Sequence, residues 1–166
     1  MSQQHLRFAL FGNEYQTKKS VAVERTINYL RAHGAELYID RPYYEFLVRQ
    51  SDDEVWCSGV FDDYNFDVDF AISLGGDGTF LRAASRVGAK GIPVLGVNMG
   101  RLGFLSDVLP LEVEKALDEI FEGQYKLEEH TVIKVEAEGE PIEGNPYALN
   151  DIALLKRVDA SMITIR

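Results

Sequence analysis

Apolar residues along the first 123 positions occur as short continuous runs alternating with stretches at helical spacing, four times over. The runs at 6–11, 36–39, 70–74 and 92–97 read as buried strands, because each is short, apolar throughout and closed by turn-forming residues. Between them, 20–31 places Val23, Ile27 and Leu30 on one helical face, and Gly34 is expected to cap it. Residues 41–50 are expected to be helical with Tyr44, Leu47 and Val48 on one side. A helix is expected over 79–87, and another up to residue 122 with Pro110 in its first turn. Val113, Leu117, Ile120 and Phe121 form the buried face of that last helix, and Gly123 stops it. Residues 51–65 carry many acids and few periodic apolar positions, which predicts a loop or weak helix with Trp56, Phe61 and Tyr64 packing locally. Strand–helix alternation of this kind predicts an α/β fold, an open and mainly parallel sheet with helices on both faces.

After Gly123 the period changes. Thr131, Ile133, Val135 and Ala137 alternate with Val132, Lys134, Glu136 and Glu138, mostly a period of two. A turn is expected at 139–141, with further strand candidates at 147–156 and 161–165. The expected organisation is therefore an α/β domain over 1–123 and the first strands of an all-β domain over 124–166. Two or three strands with one apolar face need a partner layer. The expectation is an N-terminal portion of a longer protein, inactive by itself.

Composition narrows the function classes. Apolar content of 46% and charged content of 27% are those of a water-soluble globular chain. Cys57 is the one cysteine, which excludes a disulfide framework and a thiolate zinc site. His5, His33 and His130 lack metal-ligand spacing. The first residues have no apolar signal core, and no run is long enough to span a bilayer, so a cytoplasmic protein is expected. A net charge of −10 argues against nucleic acid or anionic membrane as partners. Residues 75–105 depart from that balance, with Arg82, Arg86, Lys90 and Arg101 against one acid, Asp77. A basic island around glycine loops would attract a polyphosphate; Arg86 and Lys90 also read as an ordinary solvated helix face.

The candidate chemistry sits in that island. Residues 71–81, Ala-Ile-Ser-Leu-Gly-Gly-Asp-Gly-Thr-Phe-Leu, read as a strand, a tight loop and a helix start. Gly75, Gly76 and Gly78 permit positive φ and leave the backbone open to a ligand. Amides at a helix N-terminus suit phosphate. Asp77, placed among them, would be repelled by phosphate unless it binds a metal ion or accepts a proton from an attacking hydroxyl, both roles in phosphoryl transfer. The alternative is a helix N-cap. Neither a Gly-Lys-Ser/Thr phosphate loop nor G-x-G-x-x-G spacing is present. A second strand-and-loop, Pro-Val-Leu-Gly-Val-Asn-Met-Gly-Arg-Leu-Gly-Phe-Leu-Ser-Asp at 93–107, follows one unit later and brings Asn98 and Phe104 to the same edge of the sheet.

These two stretches, with Ala-Leu-Asn-Asp at 148–151, resemble the NAD kinase family as an ordered set. The GGDG loop alone is shared with phosphofructokinases and diacylglycerol-kinase-like lipid kinases; the Asn-x-Gly-x-Leu-Gly-Phe segment favours NAD kinase. The resemblance implies a Rossmann-like first domain followed by a β-sandwich. It also implies transfer of a phosphoryl group from ATP to the 2′-hydroxyl of the adenosine ribose of NAD, with Mg²⁺ or another divalent metal assisting. By the same resemblance Asp77 is the catalytic base and Gly78 lies against the nucleotide. Asn150 and Asp151 would hold ribose hydroxyls, a turn or bulge being the alternative. Phe104 is a candidate stacking platform for adenine or else a core aromatic. Arg82 is a candidate charge-assisted hydrogen-bond donor to a phosphate or else a surface residue. Nucleotides are the implied partners, and a homo-oligomer the implied full-length state. His130 and Ser161 depart from residues common in the family and receive no role. Two other classes stay open: another GGDG kinase acting on a sugar phosphate or lipid, and a non-catalytic nucleotide-binding module.

Overall fold

The computed structural model describes residues 5–14, 21–62, 64–100, 103–136, 138, 142 and 146–149. The expected strand candidates beyond 149, and with them Asn150, Asp151 and Ser161, lie outside these residues, as does Arg101.

Five strands, β1 (Arg7–Gly12), β2 (Glu36–Asp40), β3 (Gly59–Phe61), β4 (Phe70–Gly75) and β5 (Val94–Asn98), make one sheet in the order β3-β2-β1-β4-β5. Every pairing in it is parallel. The helices are α1 (Val21–Ala32), α2 (Arg41–Arg49), α3 (Asp77–Val87) and α4 (Val113–Phe121). The architecture is Rossmann-like, as the alternation of periods implies.

Strict alternation within the strands sorts the core into two layers. Phe8, Leu10, Ile72 and Leu74 face Val23, Ile27 and Leu30 of α1 and Val113, Leu117 and Ile120 of α4. Ala9, Phe11 and Ala71 face Ala83 and Val87 of α3, together with Phe61, Phe66 and Val68. Side chains on opposite faces of one strand thus serve helices on opposite sides of the sheet, which is why these runs are apolar at every position. Gly34 and Gly123 follow α1 and α4 with φ of 68° and 70°, the left-handed turn at which glycine is favoured.

Three expectations are corrected. Residues 51–65 are not merely loop or weak helix: Gly59–Phe61 is an edge strand, paired from Tyr38↔Gly59 to Asp40↔Phe61. Three residues are too few to display a period, and tertiary pairing decides them. Helix α2 buries Tyr43, Phe46 and Leu47 and exposes Val48, so its apolar face is rotated from the expected one. Pro110 precedes α4 in a turn instead of occupying its first turn.

Beyond α4, β6 (Ile133–Lys134) and β7 (Tyr147–Ala148) form a separate two-stranded antiparallel sheet, the beginning of the all-β part. Among the described residues no helix is long and apolar enough to cross a membrane.

Candidate active site

The strand order reverses between β1 and β4, and the carboxyl ends of the strands around that point bound a crevice of the kind in which open α/β sheets bind ligands. Gly12, Gly75 and Asn98 end three adjacent strands there, with Gly12 beside Leu74 and Gly75 paired to Asn98. The sequence therefore folds both glycine loops onto one edge.

The GGDG turn uses its glycines differently from expectation. None of Gly75, Gly76 or Gly78 has positive φ. Gly75 is required for space, since a Cβ there would lie 2.2 Å from Thr79 Oγ1. At Gly76 and Gly78 a Cβ would meet nothing within 4 Å, so bare backbone faces open space where a ligand can approach.

Asp77 is the first residue of α3, and its side chain does not cap that helix. Gly76 is the N-cap, without a side-chain bond. The Asp77 carboxylate instead accepts three backbone N–H groups from the loop after β5. Phe104 donates to Oδ2 at 2.8 Å, and Leu105 and Ser106 donate to Oδ1 at 3.1 and 3.3 Å. These donors, Phe104 and Leu105 foremost, hold the carboxyl below the usual carboxylate range against the opposing effect of partial desolvation. A second tie between the loops runs from the Met99 N–H to the Gly75 carbonyl at 2.9 Å.

Asn98 is almost fully buried, and its Oδ1 accepts the Gly100 N–H at 2.9 Å, closing the turn that leads away from β5. Phe104 is fully exposed in this chain and packs in neither apolar cluster.

The basic island is put to structural use. Arg82 donates to Glu14 Oε2 at 2.7 Å and to the Gly12 carbonyl, and lies 3.9 Å from Asp40. Arg86 lies 3.3 Å from the buried Asp40 and over the rings of Phe61 and Tyr64. Lys90 donates to the carbonyls of Tyr64 and Phe66. Arg82 and Arg86 thus tie α3 to β1 and β2, whereas Lys90, just past the helix, stays exposed while its ammonium holds the two carbonyls. Burial pushes the Asp40 carboxyl up, opposed by Arg86 and then Arg82. A cavity of about 450 Å³ lies at the far end of α3, beside Arg86, Lys90, Pro146 and Tyr147, and does not include Asp77.

Sequence reasoning missed Glu14, Asp40 and the amides of 104–106. An acid just past the first strand, at the switch point, could have flagged Glu14. Main-chain donors carry no side-chain signature and leave nothing to find.

The fold and this edge define an open, parallel α/β protein whose ligand crevice presents a clasped carboxylate between two glycine loops. The profile of the ATP-NAD kinase N-terminal domain matches residues 8–125. This chain belongs to that family. It is 48% identical over 161 residues to the NAD kinase of Bacteroides fragilis, covering 97% of this chain and 56% of that protein. It is 36% identical over 159 residues to the NAD kinase of Porphyromonas gingivalis, covering 96% of this chain and 54% of the other. The chain thus spans about half the length of the curated relatives it matches. Among solved structures, yeast NADH kinase complexed with NADH has a similar fold, with a TM-score of 0.65 at 19% identity, covering 86% of this chain and 46% of that one.

Proposed function

We propose that the protein to which these residues belong transfers the γ-phosphoryl group of ATP to the 2′-hydroxyl of the adenosine ribose of NAD, yielding NADP. The observation that carries this reading is the position of Asp77. It is an ionised carboxylate at the carboxyl edge of the sheet, within a glycine turn open to a ligand, in a chain of the ATP-NAD kinase family. Three of the roughly four acceptor positions of a carboxylate are taken by amides, and the remaining one, on Oδ2, can accept the hydroxyl proton as the phosphoryl group arrives in line.

The backbone at Gly76 and Gly78 lies against the nucleotide in this reading, and the exposed ring of Phe104 stacks on its base. Arg82 holds the β1 loop against α3 through Glu14 and the Gly12 carbonyl, and its remaining N–H groups are the candidates for a phosphate. Asn98 acts through the turn it closes. No group of three potential metal-ligating side chains occurs among the described residues. In this reading Mg²⁺ arrives with the phosphates of the donor, as Mg²⁺ commonly does. When bound, the ion would neutralise charge on those phosphates.

Incubating the full-length protein with Mg²⁺, ATP and NAD and following NADP by mass spectrometry tests the proposal. NADP formation is expected. Turnover of a sugar phosphate or a diacylglycerol with none of NAD would place the protein among the other GGDG kinases instead.

A second expectation concerns Asn150 and Asp151. If they hold ribose hydroxyls of the acceptor, Asp151→Ala raises the dissociation constant for NAD about one to two decades, the size of a lost charged hydrogen bond, and leaves that for ATP nearly unchanged. Calorimetric titration of each nucleotide separates the two; equal weakening of both would remove the assignment.

A further inference from the structure

The loop that clasps Asp77 closes on it at one position without a side chain. A Cβ built on Gly103 would stand 2.2 Å from Asp77 Oδ1, 2.6 Å from Cγ and 2.7 Å from Oδ2. No other glycine of the described loops makes its closest approach to a carboxylate. Gly75 is crowded by Thr79, Gly96 by Phe80 and Ser106, and Gly100 by nothing within 4 Å. The three residues immediately after Gly103 supply the three amides that bind the carboxylate. Backbone contact at 103 and amide donation at 104–106 are therefore one feature, a cradle whose floor is Gly103.

We propose that Gly103 is a positioning residue for Asp77. Its missing side chain lets the Phe104, Leu105 and Ser106 amides close on the carboxylate, fix its rotation and leave one lone pair of Oδ2 facing the crevice. The inference rests on the kinase reading for the role of Asp77, and on the geometry alone for the cradle.

Two consequences follow from the chemistry of the donors. Both oxygens are tied, so the carboxylate plane cannot rotate, and a hydroxyl must approach the open side of Oδ2. Amide donors stabilise the charged form, so the group stays ionised below the usual carboxylate range and is a weak base that takes the hydroxyl proton onto Oδ2 late, as the hydroxyl oxygen bonds to phosphorus and the diphosphate leaves. Fixing one lone pair is what such a base needs, since small misplacement of a reacting group costs rate steeply.

A Cβ at position 103 cannot coexist with the carboxylate where it now lies. In the full-length protein, Gly103→Ala is expected to lower kcat by about 10- to 100-fold with little change in KM for either nucleotide. The acid limb of kcat/KM then moves to higher pH, because losing amide donors raises the Asp77 pKa. The Asp77 carboxyl, followed by ¹³C NMR of labelled aspartate and identified by its loss in Asp77→Asn, titrates higher in the variant. Gly100→Ala, from the same loop, serves as comparator. Replacing the Phe104 amide by an ester removes the 2.8 Å donor without adding an atom, and the same upward titration is expected even where Gly103→Ala fails to fold.

An unchanged Asp77 titration in the ester variant overturns the cradle, as does a Gly103→Ala variant that matches Gly100→Ala in both rate and titration. The kinase reading fails separately: if Asp77→Asn keeps full turnover, Asp77 is not the base, whereas the carboxyl titration still reads the cradle.

Discussion

Asp77→Asn in the full-length protein is expected to lower NADP formation by about two to four orders of magnitude, the usual contribution of a general base. The sheet and helices should remain, because Asp77 is partly exposed and lies in neither apolar cluster. The amide of asparagine can keep one oxygen on the Leu105 and Ser106 N–H groups, but its NH₂ then faces the Phe104 N–H, donor against donor. The loss therefore has two parts: no proton acceptor, and a loosened clasp. Initial rates at saturating ATP and NAD, with circular dichroism as the check on folding, measure it. Turnover within a few-fold of wild type would take Asp77 out of the chemistry.

The largest expected effect on stability is at Phe11. Its side chain is completely buried and sits edge-on to Phe61 at 5.4 Å and to Phe66 at 6.0 Å. In the layer under α3 its neighbours are Ala9, Ala71 and Ala83, which have no side chain to extend into the space, and Phe61, Phe66, Val68 and Val87, which are already packed. Phe11→Ala is expected to cost about 3–5 kcal/mol, the range for deleting a buried aromatic that leaves a cavity. Phe61 belongs to the three-residue edge strand β3 and loses one of its two ring contacts, keeping Phe66 at 4.6 Å, so β3 should loosen first. Urea unfolding reads this as a lower midpoint at unchanged slope. A loss below about 1 kcal/mol would mean that this layer repacks around the deleted ring.

Much of the site was legible because its signals are local. Gly-Gly-Asp-Gly at the end of an apolar run marks a strand-to-helix turn wherever it falls, and the same holds for the glycine-spaced loop after β5. Even so, the expected purpose of those glycines was only half right. Gly75 serves close packing against Thr79, and no glycine of the turn adopts positive φ. The positive-φ reading came from what glycine can do, whereas the structure uses what glycine lacks.

The basic island shows the limit of charge counting. Arg82, Arg86 and Lys90 looked like either a polyphosphate attractor or a solvent face. Each is held by a group remote in the chain, Glu14 and the Gly12 carbonyl, Asp40, and the carbonyls of Tyr64 and Phe66, and only Lys90 of the three is exposed. A count of charges within a window cannot register partners that the fold brings from outside it.

Periodicity and turn chemistry by themselves determined the open α/β class, the order of its elements apart from the strand at 59–61, and the placement of Asp77 and Asn98 after two buried strands at one edge of the sheet. These follow from interactions within a few residues, and from the rule that apolar runs must be covered on both faces. Tertiary structure decided the rest: that 59–61 pairs as an edge strand, that α2 turns Tyr43 and Phe46 inward, and that Asp77 is gripped by amides 27 to 29 residues further on. Every backbone amide is chemically alike, so which of them reach a carboxylate is settled only when the chain folds two loops against one another.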